Sequence, residues 1–488
     1  MMTQKQLENY LWGAATLLRG VIDAGDYKQY IFPLIFFKRI CDVYDEEYEK
    51  ALQDSDGDLE YAAFAENHRF VVPEGFHWND VREITSNLGM ALQKAMQEIE
   101  KANPDVLYGI FGDAQWTNKQ RLSDEILINL IEHFSSEKLT ITNVPDDKLG
   151  DAYEFLIKKF ADDSGHTAAE FYTNRTVVRL MTLLMNPKPG ESVYDPTCGS
   201  GGLLLNCALE LKKQGKEYRT LKLYGQEINL MTSSIARMNM FLHGIEDFSI
   251  KRGDTLKEPL FLENDRLKKF NVILANPPYS IKRWDRKMFE NDPYGRNILG
   301  TPPQGCADYA FQQHIIQSLN KENGRSVVLW PHGVLFRDQE KDMRQKLIEM
   351  DLVEAVIGLG PNLFYNSPME SCLLVCRTNK RPEQRNKIIF INAVNEVKAE
   401  TGTSYLKDEH IEKIGNAYHE YKDIEGFAKI VDKDELQTQS WNLNISLYVS
   451  NYKMKVSTDK QEDLSELLSQ WVDSSRDLKV SLEDKINE

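Results

Sequence analysis

The sequence predicts an α/β protein with a helical N-terminal domain, a mostly parallel sheet layered with helices, and a short helical C-terminal segment. Three observations predict it. Apolar residues recur at helical spacing through about the first 160 positions. Short β-branched runs alternate with helical segments beyond Gly190, as in a parallel sheet. Glycine-rich or polar turns follow those runs directly. At about 150 residues per domain the 488 residues accommodate three, placed at 1–160, 161–440 and 441–488.

In the first region Leu7, Tyr10, Leu11, Ala14, Leu18 and Val21 share one helical face, and the pattern returns over 84–99 and 126–134. Residues 54–58 read as a loop. In the second, strands are expected at 192–194, 221–224, 248–251, 272–275, 327–330, 353–357 and 373–376. Ligands in such sheets sit beyond the carboxyl ends of the strands. At the end of the chain Leu464, Leu468, Trp471, Leu478 and Leu482 form an apolar seam, interrupted by Ser475, that suits a helix docking on another chain.

Composition excludes several classes. Hydrophobic content of 41% and charged content of 27% are those of a globular protein, not a disordered or fibrous one. No apolar stretch approaches the roughly 20 residues that cross a bilayer, and the N-terminus lacks the features of a signal peptide. A cytoplasmic protein without membrane contact is expected. The six cysteines form no CxxC pair, which argues against structural zinc and disulfides, and Cys372 and Cys376 read as core residues. The net charge is −16. A protein that grips nucleic acid unaided usually presents a basic surface, so either it binds none or a partner supplies much of the grip.

Four motifs follow successive strands. Asp195-Pro196-Thr197-Cys198-Gly199-Ser200-Gly201-Gly202 is a strand end running into a glycine turn that lets a ligand approach the backbone. It is neither GxGxxG nor a triphosphate loop. Glu227 ends the next strand, placed for ribose hydroxyls, and Asp254 follows the third, placed for an adenine amine. Alone, the glycines fit a tight βα turn and the acids fit helix caps; together they describe an adenosine ligand. The fourth is Asn276-Pro277-Pro278-Tyr279 after an apolar strand. Its prolines remove two donors and leave carbonyls free, so Asn276 and the Pro277 carbonyl can accept both protons of a planar amine, while Tyr279 offers a stacking face.

This order of motifs resembles the class I S-adenosylmethionine-dependent methyltransferases that modify exocyclic amines. With Leu149 to Glu154, Ala169 to Thr173, Leu11-Trp12, Leu18-Arg19-Gly20, Pro33-Leu34, Lys38-Arg39, Asp308 to Phe311 and Gly333 to Arg337, the chain resembles the adenine-N6 methyltransferase (M) subunits of type I restriction-modification systems along nearly its whole length. The resemblance implies a Rossmann-like, mostly parallel seven-stranded sheet. It also implies that Glu170, Phe171, Tyr172, Thr173, Asn174 and Arg175, with Asp195, Gly199, Ser200, Gly201 and Gly202, line the methionine end of S-adenosylmethionine. Glu227 would hold its ribose, Asp254 its adenine, and Asn276, Pro277, Pro278 and Tyr279 the target base. The family usually has Thr-Pro-Arg where this chain has Thr173-Asn174-Arg175, which predicts a looser turn.

The implied partners are double-stranded DNA, one specificity (S) subunit for two M subunits, and a restriction (R) subunit that can join them. The absence of a triphosphate loop places any ATP-driven cleavage in a different subunit. The run from Lys282 to Lys287 is either a phosphate contact or a solvated surface. Competing readings are cytosine-N4 methylation on the same loop, which Tyr279 after two prolines resembles less, methylation of a protein glutamine or an RNA base amine, and a silent scaffolding subunit. Cytosine-C5 chemistry would need a cysteine nucleophile, and Cys198 in the glycine turn does not fit.

Overall fold

In the computed structural model, which describes residues 2–163, 173–363, 369–400 and 403–449, helix α1 (Gln4–Leu17) starts at Thr3. The Thr3 hydroxyl accepts from the Gln6 amide while the Gln6 side chain accepts from the Thr3 amide, closing a capping box. The helix stops before Val21, because Gly20 takes a left-handed conformation (φ 81°). Helix α2 (Lys28–Asp54) ends at the expected loop, where Asp56 and Gly57 have positive φ. The helix expected over 84–99 is α3 (Leu88–Ala102). Its start is set by Asp124, whose carboxylate takes the amides of Asn87 and Leu88 and leaves Ile84 outside. Helices α4 (Asp124–Ser135) and α5 (Asp146–Asp163) complete the region.

The strands of the central sheet are β1 (Ser192–Asp195), β2 (Lys222–Glu227), β3 (Phe248–Arg252), β4 (Val272–Ala275), β5 (Arg325–Pro331), β6 (Val353–Leu359), β7 (Ser371–Arg377), β8 (Lys387–Ala393) and β9 (Ala428–Asp432). They form one sheet in the order β9-β8-β6-β7-β5-β4-β1-β2-β3. All seven expected strands are present, with β7 antiparallel between β5 and β6. Among the described residues this sheet has nine strands, not the expected seven. Strand β8 adds parallel to β6, and β9 closes that edge antiparallel to β8.

Helices α6 (Arg175–Met185), α7 (Gly202–Lys213) and α8 (Leu230–Leu242) precede or connect the first strands. Helix α9 (Asp308–Gln317) precedes β5, and α10 (Lys341–Glu349) links β5 to β6. Two apolar cores cover the two sheet faces, and a third fills the N-terminal helices. That third core includes Ile235, Met238 and Phe241 of α8, so the helical region packs directly on the connection between β2 and β3. Residues 1–449 form one compact unit, in which Trp441, Leu443 and Ile445 are buried in the core beside the sheet. The second unit, 450–488, lies outside the described residues, and with it the seam from Leu464 to Leu482. Among the described residues no helix is long and apolar enough to cross a membrane.

Candidate active site

The strand order reverses at β1, which has β2 on one side and β4 on the other, so a crevice opens beyond the ends of β1 and β4. Asp195 ends β1 and is 1% exposed. One of its oxygens accepts from the Thr197 amide at 3.0 Å, which folds the chain into the glycine turn. Gly199 and Gly201 have φ of 52° and 80°, a region that side chains disfavour. The turn is stitched to the end of β2. The Cys198 amide donates to the Gln226 carbonyl at 3.0 Å and the Gly199 amide to Glu227 Oε2 at 3.1 Å. The other Glu227 oxygen accepts from the Asn229 amide at 2.9 Å. Gly225 permits this approach, since a Cβ there would lie 2.9 Å from Cys198 Sγ.

Burial and the nearby Glu227 push the Asp195 carboxyl up to about 8, against the lowering hydrogen bond from Thr197. Burial also raises Glu227. Two buried carboxylates beside a glycine turn fit a ligand that carries both a cationic group and ribose hydroxyls. Ile228, next to Glu227 and 61% exposed, presents an apolar face at the same strand end. Sequence reading passed over it, because a lone isoleucine carries no signal. Burial drives the Cys198 thiol well above its ordinary range, so it is no nucleophile.

The other wall is the start of α6. Asn174 is its cap, with its side-chain oxygen on the Thr176 amide at 3.0 Å and its nitrogen donating to the Ser404 carbonyl at 2.8 Å. Its φ of −53° is one a proline would adopt. The expected loosening is therefore corrected: two hydrogen bonds hold the turn in place of a ring. Arg175 pairs with Glu154 of α5 and lies against Gly202. Thr173, Arg175, Asp195, Gly199, Ser200, Gly202 and Asn276 line one cleft. Glu170, Phe171 and Tyr172 lie outside the described residues.

Asn276 follows β4 directly. Its side-chain nitrogen donates to Thr173 Oγ1 at 3.1 Å, and its buried oxygen has no hydrogen-bond partner among the described residues. Pro277 is buried, Pro278 exposed and Tyr279 half-buried. The loop continues through Ser280, whose amide donates to Asp308 Oδ1 at 2.8 Å. Arg337 donates to the other Asp308 oxygen at 2.6 Å and to Glu340 at 2.8 Å. Cys306, Asp308 and Glu340 bring three ligand atoms within 4.8 Å of one another, but the Arg337 guanidinium already supplies the positive charge there. Asp254 lies at the end of β3, where its Oδ1 takes the amides of Leu256 and Lys257. That turn is held by Arg296, fully buried, which donates to the carbonyls of Thr255 and Leu256 at 2.8 and 2.7 Å. Arg296 carries no sequence motif.

In the basic run, Lys282, Arg283 and Lys287 are exposed, whereas Arg286 is engaged with Glu290 and the Pro302 carbonyl.

Comparison with known proteins agrees with this geometry. A family model described as N-6 DNA Methylase matches residues 144–456, and one described as HsdM N-terminal domain matches residues 7–134. The type I restriction enzyme MpnII methylase subunit of Mycoplasma pneumoniae is 30% identical over 99% of this chain and 96% of its own length. The MjaVIII methylase subunit of Methanocaldococcus jannaschii is 32% identical over 96% of this chain and 81% of its own. The crystal structure of a type I restriction-modification methyltransferase subunit from Streptococcus thermophilus superposes with a TM-score of 0.80 at 29% identity, covering 92% of this chain and 100% of that one. With its glycine turn, its acidic strand ends and its Asn-Pro-Pro-Tyr loop on this scaffold, the chain belongs to the N-6 DNA methylases, among the methylase subunits of type I restriction enzymes.

Proposed function

We propose that the chain transfers the methyl group of S-adenosylmethionine to the N6 amine of an adenine turned out of double-stranded DNA, with the recognised site chosen by a separate specificity subunit. The observation that carries this reading is the Asn276 amide. Its nitrogen is fixed on Thr173, its buried oxygen has no hydrogen-bond partner among the described residues, and the residue lines the same cleft as Asp195. A buried acceptor of this kind costs stability unless a ligand satisfies it.

When bound, S-adenosylmethionine supplies a methyl group already activated on a sulfonium. Arg175, Asp195 and the turn from Gly199 to Gly202 hold its methionine end, Glu227 its ribose and Asp254 its adenine. Asn276 Oδ1 and the Pro277 carbonyl accept the two amine protons and concentrate electron density on the nitrogen. Tyr279 stacks on the base, and Pro278 keeps the loop rigid. The amine loses its proton after attack, so orientation and exclusion of water do most of the work and no strong base is required.

The net charge of −16 suits a subunit whose DNA affinity comes largely from a partner. The apolar seam from Leu464 to Leu482, within 441–488, suits docking on that partner, with two copies of this chain to one specificity subunit and room for a restriction subunit. The test is methyl transfer from labelled S-adenosylmethionine to unmethylated DNA, with and without the specificity subunit, followed by nucleoside analysis. N6-methyladenine is expected only with the partner present. Label on protein or RNA, with none on DNA, would overturn the reading.

A further inference from the structure

Extruding a base leaves a gap in the duplex stack, and Tyr279 is already committed to the extruded base. A side chain that fills that gap recovers part of the lost stacking and favours the open state. The residues after β4 and β5 leave the sheet at the same edge, because the two strands are parallel neighbours with Ala275 opposite Val328. After β5 the chain makes a short 3-10 turn (His332–Leu335) and then reaches Phe336. Val334 and Leu335 are buried, but Phe336 is 43% exposed. Among the exposed large apolar residues described at this edge, it is the aromatic one.

The backbone that displays this ring is held on every side. Tyr309 Oη donates to the Val334 carbonyl at 3.1 Å, and the Leu443 amide to the Leu335 carbonyl at 2.9 Å. The Phe336 and Arg337 amides both return to the Gly333 carbonyl, and the Arg337 carbonyl accepts from Arg344 at 2.7 Å. Arg337 and Ser280 share the Asp308 carboxylate. Phe336 is thus one residue from a link whose other end is one residue from Tyr279. A phenyl ring shown to water on so rigid a support is arranged for a partner surface, and insertion of an apolar side chain into a base stack is a known use of such a ring.

We propose that Phe336 enters the DNA stack at the position vacated by the target adenine and thereby stabilises the extruded base. The inference rests on the adenine-methylating reading above.

The test uses the full complex with the specificity subunit on two duplexes carrying its recognised site. In one the target adenine is paired; in the other it faces an abasic position, so that extrusion is no longer limiting. Phe336→Ala is expected to lower methylation of the paired duplex by about tenfold, the factor carried by one stacking contact of ordinary strength. It should stay within about twofold of the parent on the abasic duplex, where opening costs least. The fluorescence rise of 2-aminopurine at the target position should shrink in parallel, with affinity for S-adenosylmethionine unchanged. Phe336→Tyr, which keeps the ring, should behave as the parent and guards against loss through misfolding. Equal activity of Phe336→Ala and the parent on the paired duplex, or equal impairment on both duplexes, overturns the proposal while the adenine reading stands. A parent complex that methylates neither duplex defeats the adenine reading itself, and this proposal with it.

Discussion

The Asn276 side chain and the Thr173 hydroxyl, 103 residues apart in the chain, are joined by a hydrogen bond of 3.1 Å that anchors the amide of the Asn-Pro-Pro-Tyr loop to the start of α6. Without the hydroxyl the amide loses this anchor and can turn about its χ2 bond. Thr173→Val should therefore lower methyl transfer by about tenfold, the worth of one ordinary hydrogen bond in a preorganised site. Asn276→Ala should cost about 10²–10³-fold, the scale of one lost electrostatic partner of a reacting group. Initial rates under saturating S-adenosylmethionine measure both. A Thr173→Val rate equal to that of the parent would mean the amide is oriented by something else.

Asp195, with its carboxyl at about 8, holds its proton at neutral pH in the ligand-free chain. A cationic ligand favours the ionised form, so binding should release a proton below pH 8. Affinity for S-adenosylmethionine should then rise by up to about tenfold per pH unit as the pH approaches 8, and level off above it. The raised carboxyl acts on stability in the opposite sense: in the ligand-free chain its contribution is present at low pH and is lost as the pH rises through about 8. Calorimetric titration in buffers of different ionisation enthalpy reads the proton directly. Binding without proton release between pH 6 and 8 would contradict the assignment.

Asn174 caps α6 and also holds the Ser404 carbonyl. Asn174→Ala should destabilise the chain by about 1 kcal/mol, as the loss of a capping side chain does. Asn174→Pro loses the same bonds but suits the φ of −53° and stiffens the unfolded chain, so its melting temperature should fall between those of the alanine variant and the parent. Thermal melts of the three proteins decide the order. A proline variant less stable than the alanine one would show that the proline ring is not accommodated here.

Asp308 and Glu340, both buried, share the guanidinium of Arg337. Arg337→Ala leaves two buried carboxylates without their cation, a change that costs about 3–5 kcal/mol. Protonation relieves an unpaired buried carboxylate, so the loss should be smaller at pH 5.5 than at pH 7.5. Urea unfolding at the two values is the measurement. A loss independent of pH would place the cost in packing.

Much of this site is legible in the chain order. Asp195, the glycine turn, Glu227, Asp254 and Asn276 each follow a strand that its β-branched run announces, and strand ends are where a parallel sheet carries its ligands. Residues such as Ile228 and Arg296 are silent in sequence because single side chains have no period, and Phe336 is visible only as part of the Gly333 to Arg337 motif, which does not announce its exposure. Strands β8 and β9 fall after the last strand that the sequence announced, and their places at the sheet edge depend on pairing with β6 and with each other.

The class of fold, the alternation of its elements and the residues at the strand ends are readable from the chain alone, because periodicity and turn chemistry act over a few neighbouring positions. Long-range strand pairing places β1 beside β4, so that Asp195 and Asn276 open on one crevice. It also sets the bond from Asn276 to Thr173, the bond from the glycine turn to Glu227, and the link from Ser280 through Asp308 to Arg337. Those contacts span 28 to 103 residues of chain. Each joins segments distant in the chain, and those segments become neighbours only when the strands pair.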